Sequence, residues 1–225
     1  MVMRVEGKWD SAQALSRQSL EIKRALFPGD NDEVALALNF VGLAYYMQRD
    51  YAQAIPYLRE ATTMYGRSPG QSRENYWGLA NNLARALRES GNAVAAESIF
   101  RAAIVQLDTT QIVLRRQLVA AHVGVGLSLL DQHHPVNEAL PHLRLAGALA
   151  DRLKTTEIVR GEAAIGQAIG LMAAGDYAPA ARALADAELS IRPHALGQPI
   201  LAARLDSAEA RLRRLAPRAV VARSP

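Results

Sequence analysis

Residues 33–65, EVALALNFVGLAYYMQRDYAQAIPYLREATTMY, have the pattern of two amphipathic helices that meet at the short polar turn Gln48-Arg49-Asp50. Gly42 stands in the middle of the first helix, and Ala54 stands near the start of the second. Only Gly or Ala fits where two helix backbones cross at about 8–10 Å. The stretch therefore predicts a helical hairpin with a close crossing at these two small residues.

Variants of this hairpin recur along the chain with a period of 42 residues. The residues that begin the second helix of each unit keep this spacing: Trp9, Tyr51, Ala93, Pro135 and Tyr177. Small residues keep it in the first helices: Gly42, Ala84, Gly126, Ala168 and Ala210. In the second helix of the fourth unit the period predicts a small residue at 138, but the small residue there is Ala139. This unit is therefore shifted by one residue. This regularity predicts a helical repeat array.

The period and the Pro/Gly breaks predict the helices individually, over 9–27, 33–48, 51–65, 73–90, 93–107, 111–132, 136–153, 157–174, 177–191 and 198–215. Residues 1–6 match only the last turn of the first helix of a unit. The chain therefore begins with the second helix of a unit, and the first helix that would pair with it is missing. We expect about eleven helices in one array over 1–215, and a disordered basic tail over 216–225. Two explanations for the missing partner stay open: the chain is part of a longer protein, or another subunit covers the helix.

The distribution of charge argues against a nucleic-acid-binding domain. The net charge is +4, with 26 basic and 22 acidic side chains. The excess lies in the last 25 residues, which carry six arginines and two acidic residues, while the rest of the chain is balanced. A neutral body with a basic end is a poor electrostatic footprint for nucleic acid.

Several kinds of site and location are disfavoured by what the sequence contains. The chain has no cysteine, which excludes disulfides and thiolate sites. It has no uninterrupted apolar run long enough to span a membrane and no secretory signal, so we expect a cytoplasmic protein. The adjacent His133 and His134 lack a spaced third ligand and predict a solvated turn rather than a metal site. No catalytic, phosphate-binding or cofactor motif is present, so we expect neither an enzyme nor a cofactor.

Four features of the sequence carry a known repeat pattern: GDNDEVA (29–35), Asn39 and the pair Asn81-Asn82 before the small residue, Gly42 followed by two tyrosines, and AQAIPYLREA (52–61). In these residues the chain resembles tetratricopeptide repeats, and more closely their 42-residue variety found in kinesin light chains and in bacterial signalling proteins. The match is weaker over 111–153, where Val123 replaces the asparagine. The resemblance implies an all-α, right-handed α-solenoid of antiparallel helix pairs whose first helices line a concave groove. It also implies binding of extended peptides or partner proteins, without catalysis.

If the first helices line a groove, helical spacing predicts which of their residues are exposed. The positions three before, one after and four after each small residue share one side. They give the predicted binding residues Asn39, Leu43, Tyr46, Asn81, Arg85 and Arg88. The later units give an apolar set: Val123, Leu127, Leu130, Ile165, Ile169 and Met172. For the asparagines the alternative is a hydrogen bond between helices, for the arginines a solvated face, and for the apolar set burial within the array.

We conclude from the sequence that the chain is a non-enzymatic scaffold that captures a peptide segment or partner protein, without metal or cofactor and without membrane or nucleic acid as partner. The alternative is a C-terminal regulatory or docking fragment of a larger bacterial Ser/Thr kinase or transcription regulator. A homodimer through the unpaired first helix is a further prediction.

Overall fold

A computed structural model of the chain describes residues 3–68, 72–107, 112–195 and 197–216. In these ranges the protein contains α-helices, one short 3₁₀ turn at Arg192–His194 and no strand. The ten helices are α1 (Met3–Leu26), α2 (Asp32–Met47), α3 (Tyr51–Arg67), α4 (Arg73–Glu89), α5 (Ala93–Gln106), α6 (Ile112–Asp131), α7 (Val136–Arg152), α8 (Glu157–Ala173), α9 (Tyr177–Ile191) and α10 (Pro199–Leu215). None of these described helices combines the length and apolarity needed to cross a membrane.

The chain divides into two compact units, residues 1–99 and 100–225. The first unit contains α1 to α4 and the start of α5. The second contains the end of α5 and α6 to α10. In the first unit α2 packs against α1 and α3, and α3 packs against α4. In the second unit α6 pairs with α7, α8 pairs with α9, and α10 packs on α8 and α9.

The hairpins cross at the small residues that the period predicts. A Cβ atom on Gly42 would lie 2.7 Å from Cγ of Leu58 and 3.2 Å from the carbonyl oxygen of Ala54. In the second unit a Cβ atom on Gly126 would lie 2.5 Å from Cγ of Leu143. Both leucines are fully buried. A larger side chain in the first helix would therefore push the paired helices apart.

The turn inside each hairpin repeats with the same period. The second residue after the first helix has a positive φ at Arg49 (61°), Gly91 (92°), His133 (60°) and Gly175 (82°). The next residue donates its amide hydrogen to a carbonyl five positions earlier, as in the bond of 3.0 Å from Asp50 to Tyr45. This is the left-handed helix end of the Schellman type, which satisfies carbonyl groups that the helix leaves unpaired.

The predicted all-α fold of antiparallel helix pairs is confirmed, and most helix boundaries lie within one or two residues of the predicted ones.

The first helix differs from its predicted bounds. The chain was expected to turn near Lys8, but α1 runs without a break from Met3 to Leu26, so the described ranges hold ten helices rather than about eleven. One physical reason is that lysine, at position 8, has no side-chain acceptor that could cap the start of a new helix. The other is that the single glycine inside α1, Gly7, costs the helix only about 1 kcal/mol. The predicted tail, apart from Ala216, lies outside the described residues.

Candidate functional site

The first helices α2 and α4 are neighbours within the first unit, and local sequence fixes where each begins. The Asn31 side chain accepts a hydrogen bond of 2.8 Å from the backbone of Glu33 at the start of α2. The Ser72 hydroxyl accepts one of 3.2 Å from the backbone of Asn75 at the start of α4. Because these caps are one 42-residue period apart, give or take one position, equivalent residues of the two helices lie in the same register.

One face of these two helices is accessible along its whole length. Its residues are exposed or half-buried: Glu33, Leu36, Phe40, Leu43 and Met47 on α2, and Asn75, Gly78, Asn82, Arg85 and Glu89 on α4. Each residue of the first set stands 42 positions before its equivalent in the second. We call these ten residues the first-helix face. The first-helix face is the solvent-accessible side of α2 and α4.

The two halves of the first-helix face differ in chemistry. On α2, four of the five residues are apolar, and Phe40 at their centre is 59% exposed. On α4 the equivalent positions carry two amides, an arginine, a glutamate and a glycine. An aromatic ring this exposed is uncommon on a protein surface, where aromatic side chains are usually at least half-buried. The face therefore offers an apolar half beside a polar half.

Three of the six predicted binding residues are not on this face. Asn39, Tyr46 and Asn81 are only 5–6% exposed, so the expectation that these side chains are exposed was wrong. The alternative weighed from the sequence, a hydrogen bond between helices, is present for Asn39, whose Oδ1 accepts a bond of 3.0 Å from Nδ2 of Asn82. The reason is helical phase: positions three before and four after the small residue lie within about 60° of it, on the packed side of the helix.

The other predicted residues lie at or near the accessible face. Leu43 and Arg85, one position after the small residue, belong to the first-helix face and are half-buried. Arg88 is half-buried at its edge and forms an ion pair with the adjacent Glu89. Beneath them, the ring of Tyr46 packs against Tyr51 with centroids 5.6 Å apart. Whether any of the six residues binds a partner remains a proposal.

Sequence reasoning missed Phe40 and Asn82, which occupy the centre of the first-helix face. Both stand two positions before the small residue, about 160° around the helix from the crossing point. The sequence contained the signal for both residues, because the side of a helix opposite its small crossing residue is turned away from the paired helix. The prediction used the neighbouring positions of Asn39 and Asn81 instead, because asparagine at these positions is part of the repeat pattern.

In the second unit the equivalent first helices are much less accessible. Val123, Leu127, Ile165 and Met172 are buried, and Leu130 and Ile169 are half-buried. The alternative of burial is therefore the one that the structure supports for this apolar set. Helix α6 is buried on nearly every side from Ala121 to Leu129, which agrees with the mostly apolar sequence of this stretch.

Two histidines that lie apart in the sequence are in contact in the second unit. Nδ1 of His122 on α6 lies 3.1 Å from Nδ1 of His142 on α7, a distance for a hydrogen bond between neutral rings. Burial, and then the neighbouring His142, lowers the pKa of His122 to about 4. Among the described residues no group of three or more side chains is placed to hold a metal ion. The pair is thus a polar contact inside the α6–α7 hairpin.

The second unit also has an open cleft of about 600 Å³ between α7, α8 and α9. Its charged lining residues are of both signs: Asp151, Glu157, Arg160, Arg182 and Asp186. Because no single charge dominates, this lining selects no obvious class of small ligand.

Comparison with known proteins agrees with this architecture. The family model for the tetratricopeptide repeat matches residues 1–67. No curated protein matches the chain.

Solved structures extend the likeness to nearly the whole chain at low sequence identity. A kinesin-light-chain-like protein of Podosopora anserina with nearly identical TPR-like repeats is 16% identical, with a TM-score of 0.61 over 86% of this chain and 90% of that one. BtubC (BKLC) of P. vanneervenii is 15% identical, with a TM-score of 0.63 over 96% and 93%. The apo form of RapI is 16% identical, with a TM-score of 0.65 over 97% and 78%. The chain thus matches the tetratricopeptide-repeat model over residues 1–67, and its fold is similar to those of these solved proteins, kinesin-light-chain-like repeat proteins among them.

Proposed function

We propose that the chain is a protein-interaction scaffold that binds a segment of a partner protein on the first-helix face of its first unit. The observation that carries this proposal is the exposure of Phe40, at 59%, in the middle of an apolar row formed with Leu36 and Leu43. Contiguous apolar side chains that are exposed to water often mark an interaction site, whereas single exposed apolar residues are common on any monomer.

The two halves of the face suggest how a segment would be held. Burying the exposed part of Phe40 contributes about 1–2 kcal/mol, which supplies affinity without fixing a sequence. The polar half supplies direction and selectivity. Asn82 is held in place by its hydrogen bond to the buried Asn39, and Arg85 adds a guanidinium group suited to a carboxylate.

The fold supports the same conclusion. Tetratricopeptide repeats generally serve as non-enzymatic scaffolds for protein or peptide partners. We therefore propose a role without catalysis, in which Asn39, Tyr46 and Asn81 support the binding face from below, while Leu43, Arg85 and Arg88 lie at its surface.

Affinity capture tests this proposal. The full chain, its Phe40→Glu variant and the control Val94→Glu are immobilised in equal amounts and exposed to a lysate of the source organism. Val94 is also apolar and is somewhat more exposed, at 67%, but lies on α5. We expect at least one protein to be retained by the wild type and the control and depleted at least tenfold by Phe40→Glu. Equal retention by all three would exclude the first-helix face.

Three finer predictions from the sequence remain proposals. They are a role as docking part of a larger bacterial kinase or transcription regulator, a cytoplasmic location, and a homodimer through α1. Light scattering on the full chain tests the last one directly, because it requires a mass of two chains.

A further inference from the structure

The open cleft of the second unit is a groove whose charged residues are exposed and whose small residues are buried or half-buried. The small lining residues come from all three helices: Gly147, Ala150, Ala164 and Ala183. The lining residues of α9 run from Pro179 to Ser190, a length of about 16 Å along the helix. Near the end of α9 stands Leu189, an apolar side chain that is 77% exposed. The groove is thus long enough for about five extended residues of a peptide.

The first unit shows why this groove exists. The repeat relates α1, α2 and α3 to α7, α8 and α9 by three periods of 42 residues, with one residue more for the shifted helix α7. At the positions of Gly147, Ala164 and Ala183 the first unit carries larger side chains: Leu20, Leu38 and Tyr57. Leu20 and Leu38 are buried, and the ring of Tyr57 stacks on that of Tyr45 with centroids 5.7 Å apart. The groove therefore lies where the second unit lacks the side chains that fill the first.

The charges beside the groove differ between the two units as well. In the first unit Nη2 of Arg24 on α1 forms an ion pair of 2.7 Å with Oε1 of Glu60 on α3, which bridges these two second helices. The equivalent residues are Asp151 on α7 and Asp186 on α9. Within the described part of the chain, neither of these two carboxylates forms an ion pair or a side-chain hydrogen bond. The second unit thus has two like charges where the first unit has a bridge.

We propose that this groove binds a short segment of a partner protein that carries a basic side chain between apolar ones. The basic group takes the place of Arg24, where a guanidinium or ammonium group can form charge-assisted hydrogen bonds with Asp151 and Asp186. The apolar side chains occupy the space that Leu20 and Tyr57 fill in the first unit, and they cover Leu189.

The other charges of the groove favour a peptide over a small ion. A small ion of either sign would meet charges of its own sign, because Arg160 and Arg182 line the same groove as the carboxylates. A peptide segment can present its basic group to Asp151 and Asp186 and an acidic group to the two arginines at separate points. The expected segment therefore contains both a basic and an acidic residue.

The groove belongs to the second unit and the first-helix face to the first, so the two proposals fail independently. The probe is a phage library of random linear seven-residue peptides, selected on the immobilised full chain. Enriched peptides are synthesised with a fluorescent label and titrated by fluorescence anisotropy. Asp151→Arg recreates the ion pair of the first unit, and Ala183→Tyr restores its larger side chain. The matched control is Asp30→Arg, an exposed acidic position outside the groove, and circular dichroism checks that all variants keep their helix content.

We expect enriched peptides that contain Arg or Lys and bind the wild type, Asp30→Arg and Phe40→Glu equally. Their affinity should be at least tenfold weaker for Asp151→Arg and Ala183→Tyr, and also when the basic residue of the peptide is replaced by Gln. Absence of such peptides, or affinities that Asp151→Arg leaves unchanged, would overturn the proposal.

Two further results would assign the groove to a different occupant and so would also overturn the proposal. One is a dimer of the wild-type chain, seen by light scattering, that Asp151→Arg dissociates, because a second copy would then occupy the groove. The other is peptide affinity that rises at least tenfold when Arg218→Glu and Arg223→Glu are combined, because the chain's own basic end would then compete for the groove.

Discussion

Nδ2 of Asn82 on α4 donates a hydrogen bond of 3.0 Å to Oδ1 of Asn39 on α2, and so joins the two first helices beneath the first-helix face. Asn39 is 6% exposed, whereas Asn82 is half-buried. The bond fixes the orientation of a polar residue at the centre of the face. It also explains why an asparagine is useful at a buried position, since its amide satisfies a group on the neighbouring repeat.

The first prediction concerns this amide pair. Asn39→Ala should lower the free energy of unfolding by about 1–3 kcal/mol, because it removes a buried hydrogen bond and leaves a small cavity. Asn82→Ala should cost less alone, and the two changes should be coupled by about 1 kcal/mol in a double-mutant cycle measured by urea denaturation. Strictly additive effects would show that the bond does not contribute to stability.

The second prediction compares two helix glycines. Gly42→Ala should destabilise the protein by about 1–3 kcal/mol, because the new Cβ meets the buried Leu58 at 2.7 Å. Gly147→Ala is the control, since its Cβ would meet only the end of the flexible Gln167 side chain, with Oε1 at 2.9 Å. It should be neutral or should stabilise by up to about 1 kcal/mol. Similar losses at both positions in thermal unfolding would contradict the close-crossing argument.

The third prediction concerns the left-handed turn at His133. Its φ is 60°, and glycine occupies the equivalent turn position at Gly91 and Gly175. His133→Gly should therefore raise the free energy of unfolding by about 0.5–1 kcal/mol, because it removes left-handed strain of about 1–2 kcal/mol and adds flexibility to the unfolded chain. Gly175→Ala should do the reverse. A loss of stability on His133→Gly would indicate that the imidazole makes a contribution of its own.

The fourth prediction is a dependence of stability on pH. The pKa of His122 falls from an ordinary value of 6.5 to about 4, mainly through burial. Because the folded state holds the neutral ring, the unfolded state binds more protons between these two values. The contribution of His122 is therefore fully present above pH 6.5 and is lost as the pH falls towards 4, by about 2–3 kcal/mol.

The measurement is the thermal midpoint between pH 7 and pH 4 for the wild type and His122→Leu. The variant should flatten the acid decline, and an equal decline in both proteins would assign the acid sensitivity to other groups.

The sequence predicted the helices because the 42-residue period combines three independent signals at one spacing: small crossing residues, turn residues and apolar flanks. The turn after each first helix even keeps its left-handed residue, at Arg49 and His133 as well as at glycines. The continuity of α1 was missed because a repeat boundary was assumed where Lys8 provides no cap.

The candidate site was predicted only in part, for a geometric reason. Spacing places Asn39, Leu43 and Tyr46 near one side of α2, but the positions three before and four after Gly42 lie within about 60° of it, on the packed side of the helix. In agreement, Asn39 is turned inward and accepts its bond from Asn82 on the neighbouring helix. Phe40 could have been identified from its position opposite the crossing point at Gly42.

Site-specific photocrosslinking tests the central claim most directly. A benzophenone amino acid is placed at Phe40, at Arg85 or, as control, at Val94, and the full chain is irradiated in a lysate of the source organism. We predict one shared crosslinked protein from positions 40 and 85, absent from position 94 and suppressed at position 85 by Phe40→Glu. Crosslinks that appear equally from position 94, or none from positions 40 and 85, would contradict partner binding on the first-helix face.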